Sequence, residues 1–267
     1  MRLQVQGHEA YAYTGGKPFD PSLPCIVFIH GASHDHSGWT LLARWFAHHG
    51  HSVLAVDLPG HMRSAGPLLP DVEALAHWVL ALLDAAGVEH ASLVGHSMGS
   101  LIALEAAALA PERATRLVLI GASYPMKVSD ALLTTAREAP LRAMSMVNAW
   151  SISTTASKPG YPGPGNWLHG GNLALMRRVQ AGTPGANVFL HDFETCNRYA
   201  GGLDAAARVS CPATLIMGRA DQMTPPRAAR EITALLKARV AEVAAGHLQP
   251  AEAPDATLAA MRVALVG

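Results

Sequence analysis

The chain has 267 residues, of which 50% are hydrophobic, and its 20 basic side chains balance its 20 acidic ones. This length and composition predict one large domain with a well-filled core, and they argue against two unrelated domains. The zero net charge gives no support to a nucleic-acid or anionic-membrane partner, and no apolar run approaches the roughly 18 residues that span a bilayer.

The N-terminus and the cysteines indicate the cellular compartment. Residues 1–6 do not resemble a signal peptide, and the three cysteines, at irregular spacing, do not indicate disulfides. We therefore expect a cytoplasmic protein whose partner is a small, fairly neutral molecule. The sequence carries no indication of the oligomeric state.

The predicted elements open with a hairpin, residues 2–6 and 9–14, around Gly7-His8. Short apolar runs then alternate with helical stretches, the clearest of which is residues 71–86, where apolar side chains recur at helical spacing. This alternation predicts an α/β fold with a doubly wound, mostly parallel sheet. The predicted strands are residues 25–29, 52–56, 91–94, 116–120, 213–217 and 239–243.

A G-x-S-x-G turn, Gly95-His96-Ser97-Met98-Gly99, lies between the predicted strand 91–94 and an Ala-rich helix predicted at 100–110. Such a strand-to-helix junction strains the serine backbone and holds the side chain clear of the sheet. Gly95 and Gly99 are required because side chains there would collide with neighbouring backbone. Ser97 is therefore the candidate nucleophile.

Two further candidates follow predicted strands later in the chain: Asp221 comes after residues 213–217, and His247 after residues 239–243. Taken alone, such an aspartate is more often a helix N-terminal residue, and such a histidine a polar loop residue. Together with a serine, they supply the groups that nucleophilic catalysis by a hydroxyl requires. The imidazole accepts the serine proton, and the carboxylate fixes the imidazole tautomer and stabilises the imidazolium.

The order Ser97, Asp221, His247, each after a predicted strand, resembles that of the α/β-hydrolase superfamily, in its serine esterase-like branch with a helical cap. Two competing carboxylates, Asp35 and Asp57, precede the serine, contrary to that order. The resemblance implies that Ser97, Asp221 and His247 are the catalytic residues.

The stretch from His30 to Trp39 is similar to the oxyanion loop of the same superfamily. On that resemblance the backbone N–H groups of Ala32 and Met98 form the oxyanion hole, and His30 and Gly31 support the loop.

Residues 57–64 are similar to the superfamily's D-x-P-G-x-G-x-S turn, with one departure. Met62 stands where the superfamily usually has glycine. We expect this change to affect the shape of the turn and to leave the catalytic residues alone.

The resemblance divides the chain into a core, residues 1–122 and 203–267, and an inserted helical cap, residues 123–202. The cap region is rich in methionine and aromatic side chains, which are more often ordinary core than ligand contacts. We expect most of them to pack the cap helices and about a third to face the pocket. They are Met126, Met144, Met146, Trp150, Trp167, Met176, Phe189, Phe193 and Tyr199.

The implied function is hydrolysis of small to medium apolar carboxylic esters, lactones or thioesters through a Ser97 acyl-enzyme. A carbon–carbon bond hydrolase is an alternative, although such enzymes generally carry tryptophan beside the histidine, where this chain has Leu248. A cofactor-free dioxygenase or haloperoxidase-like oxidoreductase is another. His34-Asp35-His36 resembles the dioxygenases, but residues 121–123 lack their carboxylate. A ligand sensor that retains the three residues is also open.

No cofactor and no metal are expected. The chain has 14 histidines, and four chelating side chains cluster at His30, His34, Asp35 and His36. Their spacing is not the H-x-H-x-D-H of binuclear zinc hydrolases, and the oxyanion loop already accounts for them.

Overall fold

A computed structural model describes residues 1–266 and shows an eight-stranded sheet. Its strands are β1 (Arg2–Val5), β2 (His8–Tyr13), β3 (Cys25–Ile29), β4 (Ser52–Val56), β5 (Ala91–His96), β6 (Ala114–Ile120), β7 (Ala213–Gly218) and β8 (Arg239–Val243). They lie side by side in the order β1-β2-β4-β3-β5-β6-β7-β8. β1, β2 and β4 pair antiparallel, and every other pair is parallel. The prediction of a doubly wound, mostly parallel sheet is confirmed.

Helices cover both faces of the sheet, which is why the central strands are apolar without alternation. In β3, Val27 and Ile29 pack into one core cluster with the helices Val72–Ala85 and Met98–Leu109. Ile26 and Phe28 pack into a second cluster with the helices Thr40–Ala47 and Pro254–Leu265. The helices are α1 (Thr40–Ala47), α2 (Val72–Ala85), α3 (Met98–Leu109), α4 (Asp130–Glu138), α5 (Pro140–Ser151), α6 (Leu168–Gly182), α7 (Val188–Arg198), α8 (Gly202–Arg208), α9 (Arg230–Leu235), α10 (Gln249–Glu252) and α11 (Pro254–Leu265).

Helix boundaries follow local side chains where these can cap a helix. Asp71 precedes α2 and accepts a hydrogen bond from the backbone N–H of Ala74 at 2.7 Å, so the predicted helix 71–86 begins one residue later than expected. The prediction was further off at α3, which begins at Met98 rather than at residue 100. The chain turns from strand to helix within the single residue Ser97.

Four helices, α4 to α7, lie within residues 123–202 between β6 and β7, and we call this segment the insert. It has an apolar cluster of its own, which the core strands do not enter. The buried members are Leu132, Ala136, Ala143, Met144, Val147, Met176, Phe189 and Phe193. None of the helices in residues 1–266 is long and apolar enough to cross a membrane.

Met62, which stands where the resembled turn has glycine, adopts a positive φ of 44°. This left-handed backbone costs a non-glycine residue about 1–2 kcal/mol. Its side chain reaches the insert, where the sulfur lies 3.1 Å from the position a Cβ would take on Gly182. The strain is therefore accompanied by a contact between core and insert that glycine would not make.

Candidate active site

The chemistry-bearing loops all follow the carboxyl ends of parallel strands, and these ends meet at one edge of the sheet. This topology brings together residues that lie far apart in the sequence. The loops follow β3 (His30 to Trp39), β4 (Asp57 to Ser64), β5 (Ser97), β7 (Asp221) and β8 (His247).

Ser97 is held in a strained conformation at the tip of the turn between β5 and α3. Its φ is 53° and its ψ is −119°. A Cβ on Gly95 would collide with the carbonyl oxygen of Gly99, and a Cβ on Gly99 would collide with those of Ile29 and His30. The crowding expected at these two glycines is therefore present, and it presses the turn against the end of β3.

Asp221 and His247 form a buried pair. The Nδ1 atom of His247 lies 2.9 Å from Oδ2 of Asp221. The other carboxylate oxygen accepts the backbone N–H groups of Met223 and Thr224, each at 2.8 Å. Burial raises the pKa of Asp221, but the charge of His247 and the hydrogen bonds from His247 and Thr224 outweigh it and hold that pKa well below its usual range. The carboxylate is ionised.

Thr224 and Gln249 also surround this pair and were not among the predicted site residues. The Thr224 hydroxyl lies 2.7 Å from Oδ2 of Asp221, 2.9 Å from the Gly121 carbonyl oxygen and 3.0 Å from Nδ1 of His247. Gln249 Nε2 donates to Asp221 Oδ2 at 3.3 Å. The three-residue spacing of Asp221 and Thr224, typical of a capping turn, was the one sequence signal.

Ser97 and His247 both line a small cavity of about 30 Å³. No direct hydrogen bond joins them in residues 1–266. Such a contact often tightens only when substrate is bound. The structure thus joins Asp221 directly to His247 and places Ser97 on the wall of the small cavity that His247 also lines.

His96, the variable residue before the serine, ties the turn to the histidine loop. Its Nε2 donates to the His247 carbonyl oxygen at 2.7 Å. Burial and the neighbouring His247 lower the pKa of His96 to about 3, so the ring is neutral. We infer that His96 positions the His247 backbone, a role that its place in the motif did not reveal.

The loop after β3 is fixed by the imidazole of His30. Its Nδ1 donates to the Gly31 carbonyl oxygen at 2.9 Å, and its Nε2 accepts the Leu58 N–H at 3.1 Å. Burial and His61 lower its pKa to about 4, so it too is neutral. A Cβ on Gly31 would lie only 3.1 Å from the Cβ of Ser97. The loop therefore runs directly over the serine.

Two backbone N–H groups beside the serine have no hydrogen-bond acceptor within the described residues. Across residues 1–266, neither Ala32 N–H nor Met98 N–H donates to a protein acceptor. Ala32 lines the small cavity, and Met98 is the first residue of α3, whose N-terminus carries partial positive charge. These are the donors that the resemblance assigned to the oxyanion hole.

The insert holds the same loop from the other side. Asp192 on α7 accepts the backbone N–H of Ser33 at 2.8 Å and Nε2 of His61 at 3.0 Å. On α6, Arg178 donates to Oδ2 of Asp35 at 2.6 Å. Asp192 was not foreseen, because nothing local in α7 distinguishes it from a solvent-facing aspartate.

The two competing carboxylates have structural partners. Asp35, His36 and Asp57 bring potential ligand atoms within 4.8 Å of one another. However, Asp57 Oδ1 accepts from both the backbone N–H and Nδ1 of His36, at 2.8 and 2.7 Å, and its Oδ2 accepts from the Arg63 N–H at 3.2 Å. Together with the Arg178 contact, these bonds account for the cluster as loop support.

A larger cavity of about 520 Å³ adjoins the small one. Its walls are mostly apolar, and no lysine or arginine lines either cavity in the described part of the chain. Three of the nine methionines and aromatics considered for the pocket line one of the two cavities, in keeping with the expected third: Trp167, Met176 and Phe193.

Comparison with known proteins identifies the family. The model of the alpha/beta hydrolase family matches residues 26–260. The chain belongs to this family. In fold, this alpha/beta hydrolase is similar to the enol-lactonase from Burkholderia xenovorans LB400, with a TM-score of 0.84, 23% identity and 100% of both chains covered.

Two curated relatives share shorter stretches with this alpha/beta hydrolase. One is the dihydrolipoyllysine-residue acetyltransferase component of the acetoin cleaving system of Pseudomonas putida, 40% identical over 99 residues, which are 37% of this chain and 26% of that protein. The other is the 2-hydroxy-6-oxo-6-phenylhexa-2,4-dienoate hydrolase of Comamonas testosteroni, 35% identical over 101 residues, 36% of this chain and 35% of that protein. The chain thus spans about a quarter to a third of these relatives.

The buried pair of His61 and Asp192 gives this alpha/beta hydrolase a predicted pH dependence of stability. Burial lowers the pKa of His61, but the Asp192 charge and hydrogen bond outweigh it and leave that pKa raised above 6.5. The neighbouring titratable groups are the His30 ring, 5.1 Å from the His61 ring, His191 beside Asp192, and Asp57, whose charge also raises the His61 pKa. A raised histidine pKa stabilises the fold fully below about pH 6.5, and the effect is lost as pH rises through the folded-state value.

We therefore expect the free energy of unfolding of the wild type to fall, relative to a His61→Gln variant, as pH rises above 6.5. Urea unfolding of both proteins between pH 5 and 9 measures the difference. A difference that does not change with pH would contradict a charged His61. His191→Gln, which alters only the partly exposed neighbour, is the matched control.

Proposed function

We propose that this alpha/beta hydrolase cleaves uncharged carboxylic esters, lactones or thioesters of small to medium size through an acyl-enzyme on Ser97. The observation that carries the proposal is that three features lie together around Ser97 and His247. They are the Asp221–His247 pair, the strained Ser97, and the two free N–H groups of Ala32 and Met98.

His247 acts as the base in the first half of the reaction. With Nδ1 held by the Asp221 carboxylate, the imidazole in its neutral form carries its proton on Nδ1, which leaves Nε2 to accept the Ser97 proton. The serine oxygen then bonds to the carbonyl carbon. The imidazolium that results is stabilised by Asp221 and returns the proton to the leaving alcohol, which departs.

The N–H groups of Ala32 and Met98 take up the charge that develops on the carbonyl oxygen. A donor of this kind contributes about 100- to 1000-fold in rate, because it is in place before the charge appears. In the second half, His247 removes a proton from water, and the water oxygen attacks the acyl carbon. Ser97 then leaves with the proton, and the carboxylic acid is released.

The cavity walls disfavour an anionic substrate. Both cavities lack lysine and arginine within residues 1–266, so an anionic substrate would have no counter-charge. The Comamonas testosteroni relative makes a carbon–carbon bond hydrolase the second candidate. The enzymes of that class generally carry a tryptophan beside the histidine and a pocket arginine, whereas Leu248 follows His247 here and lines both cavities. We therefore favour ester hydrolysis.

Active-site labelling with a fluorophosphonate, together with a series of p-nitrophenyl esters from acetate to octanoate, tests the proposal. We expect one covalent label per chain, located by peptide mass spectrometry at Ser97, and turnover of at least the shorter esters. A matched variant, Ser145→Ala, removes an exposed serine of α5 and should leave labelling intact. Wild-type protein that takes up no label and hydrolyses no ester would remove the proposal.

A further inference from the structure

A polar pair, His34 from the loop after β3 and Asn172 from α6, lies between the two cavities. Both side chains line the large cavity and the small one, and His34 Nε2 is 2.9 Å from Asn172 Oδ1. Leu248 and His96 line both cavities as well. A substrate that reaches from Ser97 into the large cavity therefore passes this pair.

The two volumes require such a passage. A chamber of 30 Å³ holds about two water molecules, since one water needs about 10–15 Å³ by the same measure. It can take the reacting carbonyl and little else. The neighbouring 520 Å³ is within the range of ligand pockets, about 300–1,000 Å³. The longer half of an ester accordingly belongs in the large cavity, beside Trp39, Trp167 and Leu175.

The polar pair has one hydrogen-bond donor fewer than its acceptors require. His34 Nδ1 lies 2.8 Å from the Ala32 carbonyl oxygen, which can only accept, and His34 Nε2 faces the Asn172 amide oxygen, which also accepts. A neutral imidazole has a single N–H. Burial lowers the pKa of His34 despite its hydrogen bonds, so the ring is neutral at neutral pH.

Turning the Asn172 amide around does not resolve the shortage. Asn172 Nδ2 donates to Asn148 Oδ1 at 2.9 Å, and Asn148 Nδ2 donates to the His169 carbonyl oxygen at 2.8 Å. That carbonyl fixes the orientation of Asn148, which in turn fixes that of Asn172. The single N–H of His34 can serve either the Ala32 carbonyl or the Asn172 oxygen, so one of the two acceptors goes without it. When the proton is directed at Ala32, that acceptor is the oxygen of the buried Asn172.

We propose that Asn172 recognises a hydrogen-bond donor, an amide N–H or a hydroxyl, carried by the longer half of the ester close to its reacting carbonyl. This inference rests on the proposed ester hydrolysis and adds the substrate class. A purely apolar chain that separates His34 from Asn172 leaves the amide oxygen unpaired. A chain with a donor supplies the missing bond.

Three methyl esters of equal length separate donor, acceptor and apolar chains. N-butyrylglycine methyl ester carries an amide N–H, methyl 4-oxoheptanoate carries the carbonyl alone, and methyl heptanoate carries neither. The reversed series, with the long half as the alcohol, consists of the acetates of N-(2-hydroxyethyl)butanamide, 4-oxoheptanol and heptanol. We expect kcat/KM for the amide to exceed both matched compounds by about tenfold in one of the two series, equivalent to about 1.4 kcal/mol.

Asn172→Leu should reduce this preference to about one, because leucine has similar size and no acceptor. His34→Gln, whose amide can donate to Asn172, should reduce it as well and provides a second variant. Arg177→Gln, on the exposed face of the same helix α6, should keep the wild-type ratio. Melting temperature and phosphonate labelling of each variant establish that it is folded and active.

The outcomes distinguish the two proposals. Wild-type protein that hydrolyses none of the six esters and takes up no label overturns the proposed function and this inference together. Ester turnover with no donor preference in either series overturns the inference alone. So does a preference for the amide that persists in Asn172→Leu.

Discussion

Replacing Ser97 by alanine is expected to lower kcat for p-nitrophenyl esters by about 10⁴-fold or more, with little change in KM. The variant keeps the chamber and the N–H groups of Ala32 and Met98 but has no atom to form the acyl-enzyme. Steady-state kinetics on purified protein, with blank hydrolysis subtracted, measures the loss. Ser145→Ala serves as the control, because its serine is exposed on α5 and distant in sequence.

Because Ser97 and His247 act as a unit in the proposed mechanism, their effects should not add. A Ser97→Ala/His247→Ala double variant is expected to have about the same residual kcat as either single variant. Independent losses that multiply in the double variant would contradict a shared proton transfer. Retention of wild-type turnover by Ser97→Ala would show that another group is the nucleophile.

Asp221→Asn is expected to reduce kcat by about 10³- to 10⁴-fold while leaving the fold intact. The carboxylate accepts the Nδ1 proton of His247 at 2.9 Å, and an amide that presents its NH₂ group there would favour the wrong imidazole tautomer. The backbone N–H bonds from Met223 and Thr224 preserve the turn around either side chain.

The measurement compares kcat and the melting temperature of Asp221→Asn with those of Asp204→Asn, a substitution at an exposed position of α8. A large loss of kcat at an unchanged melting temperature is the expected result. If kcat stayed near that of wild type, a different carboxylate would have to orient His247.

The central strands could be predicted closely because burial on both faces leaves a continuous apolar run that ends at polar residues. The bounds of β3 and β4 agree with the predicted ones. Those of β8 agree as well, although it is an edge strand and mostly exposed. The beginning of α3 could not be predicted to the residue, since it depends on the strained backbone of Ser97 rather than on a capping side chain. Similarly, β5 and β6 extend beyond the apolar runs because their neighbours in the sheet continue the pairing.

Ser97, Asp221 and His247 were candidates from the sequence because each follows a predicted strand and parallel strands bring such positions together. The side chains that hold these three residues in place could not be predicted, because their hydrogen-bond partners are remote in the sequence. Asp192 meets Ser33 across 159 positions, and His96 meets the His247 carbonyl across 151. Thr224 could have been predicted, since its hydrogen-bond partner Asp221 is only three residues away in the sequence.

The bond from the Ser33 N–H to Asp192 has a bearing on enzyme engineering. It makes the segment above the pocket a structural support of the loop that carries Ala32, so this segment is not an interchangeable cover. A chimaera that grafts the corresponding segment of another family member onto this core would need to bring a carboxylate to the same point. Libraries that randomise α7 should therefore keep Asp192, and diversity is better introduced along the outward face of α6.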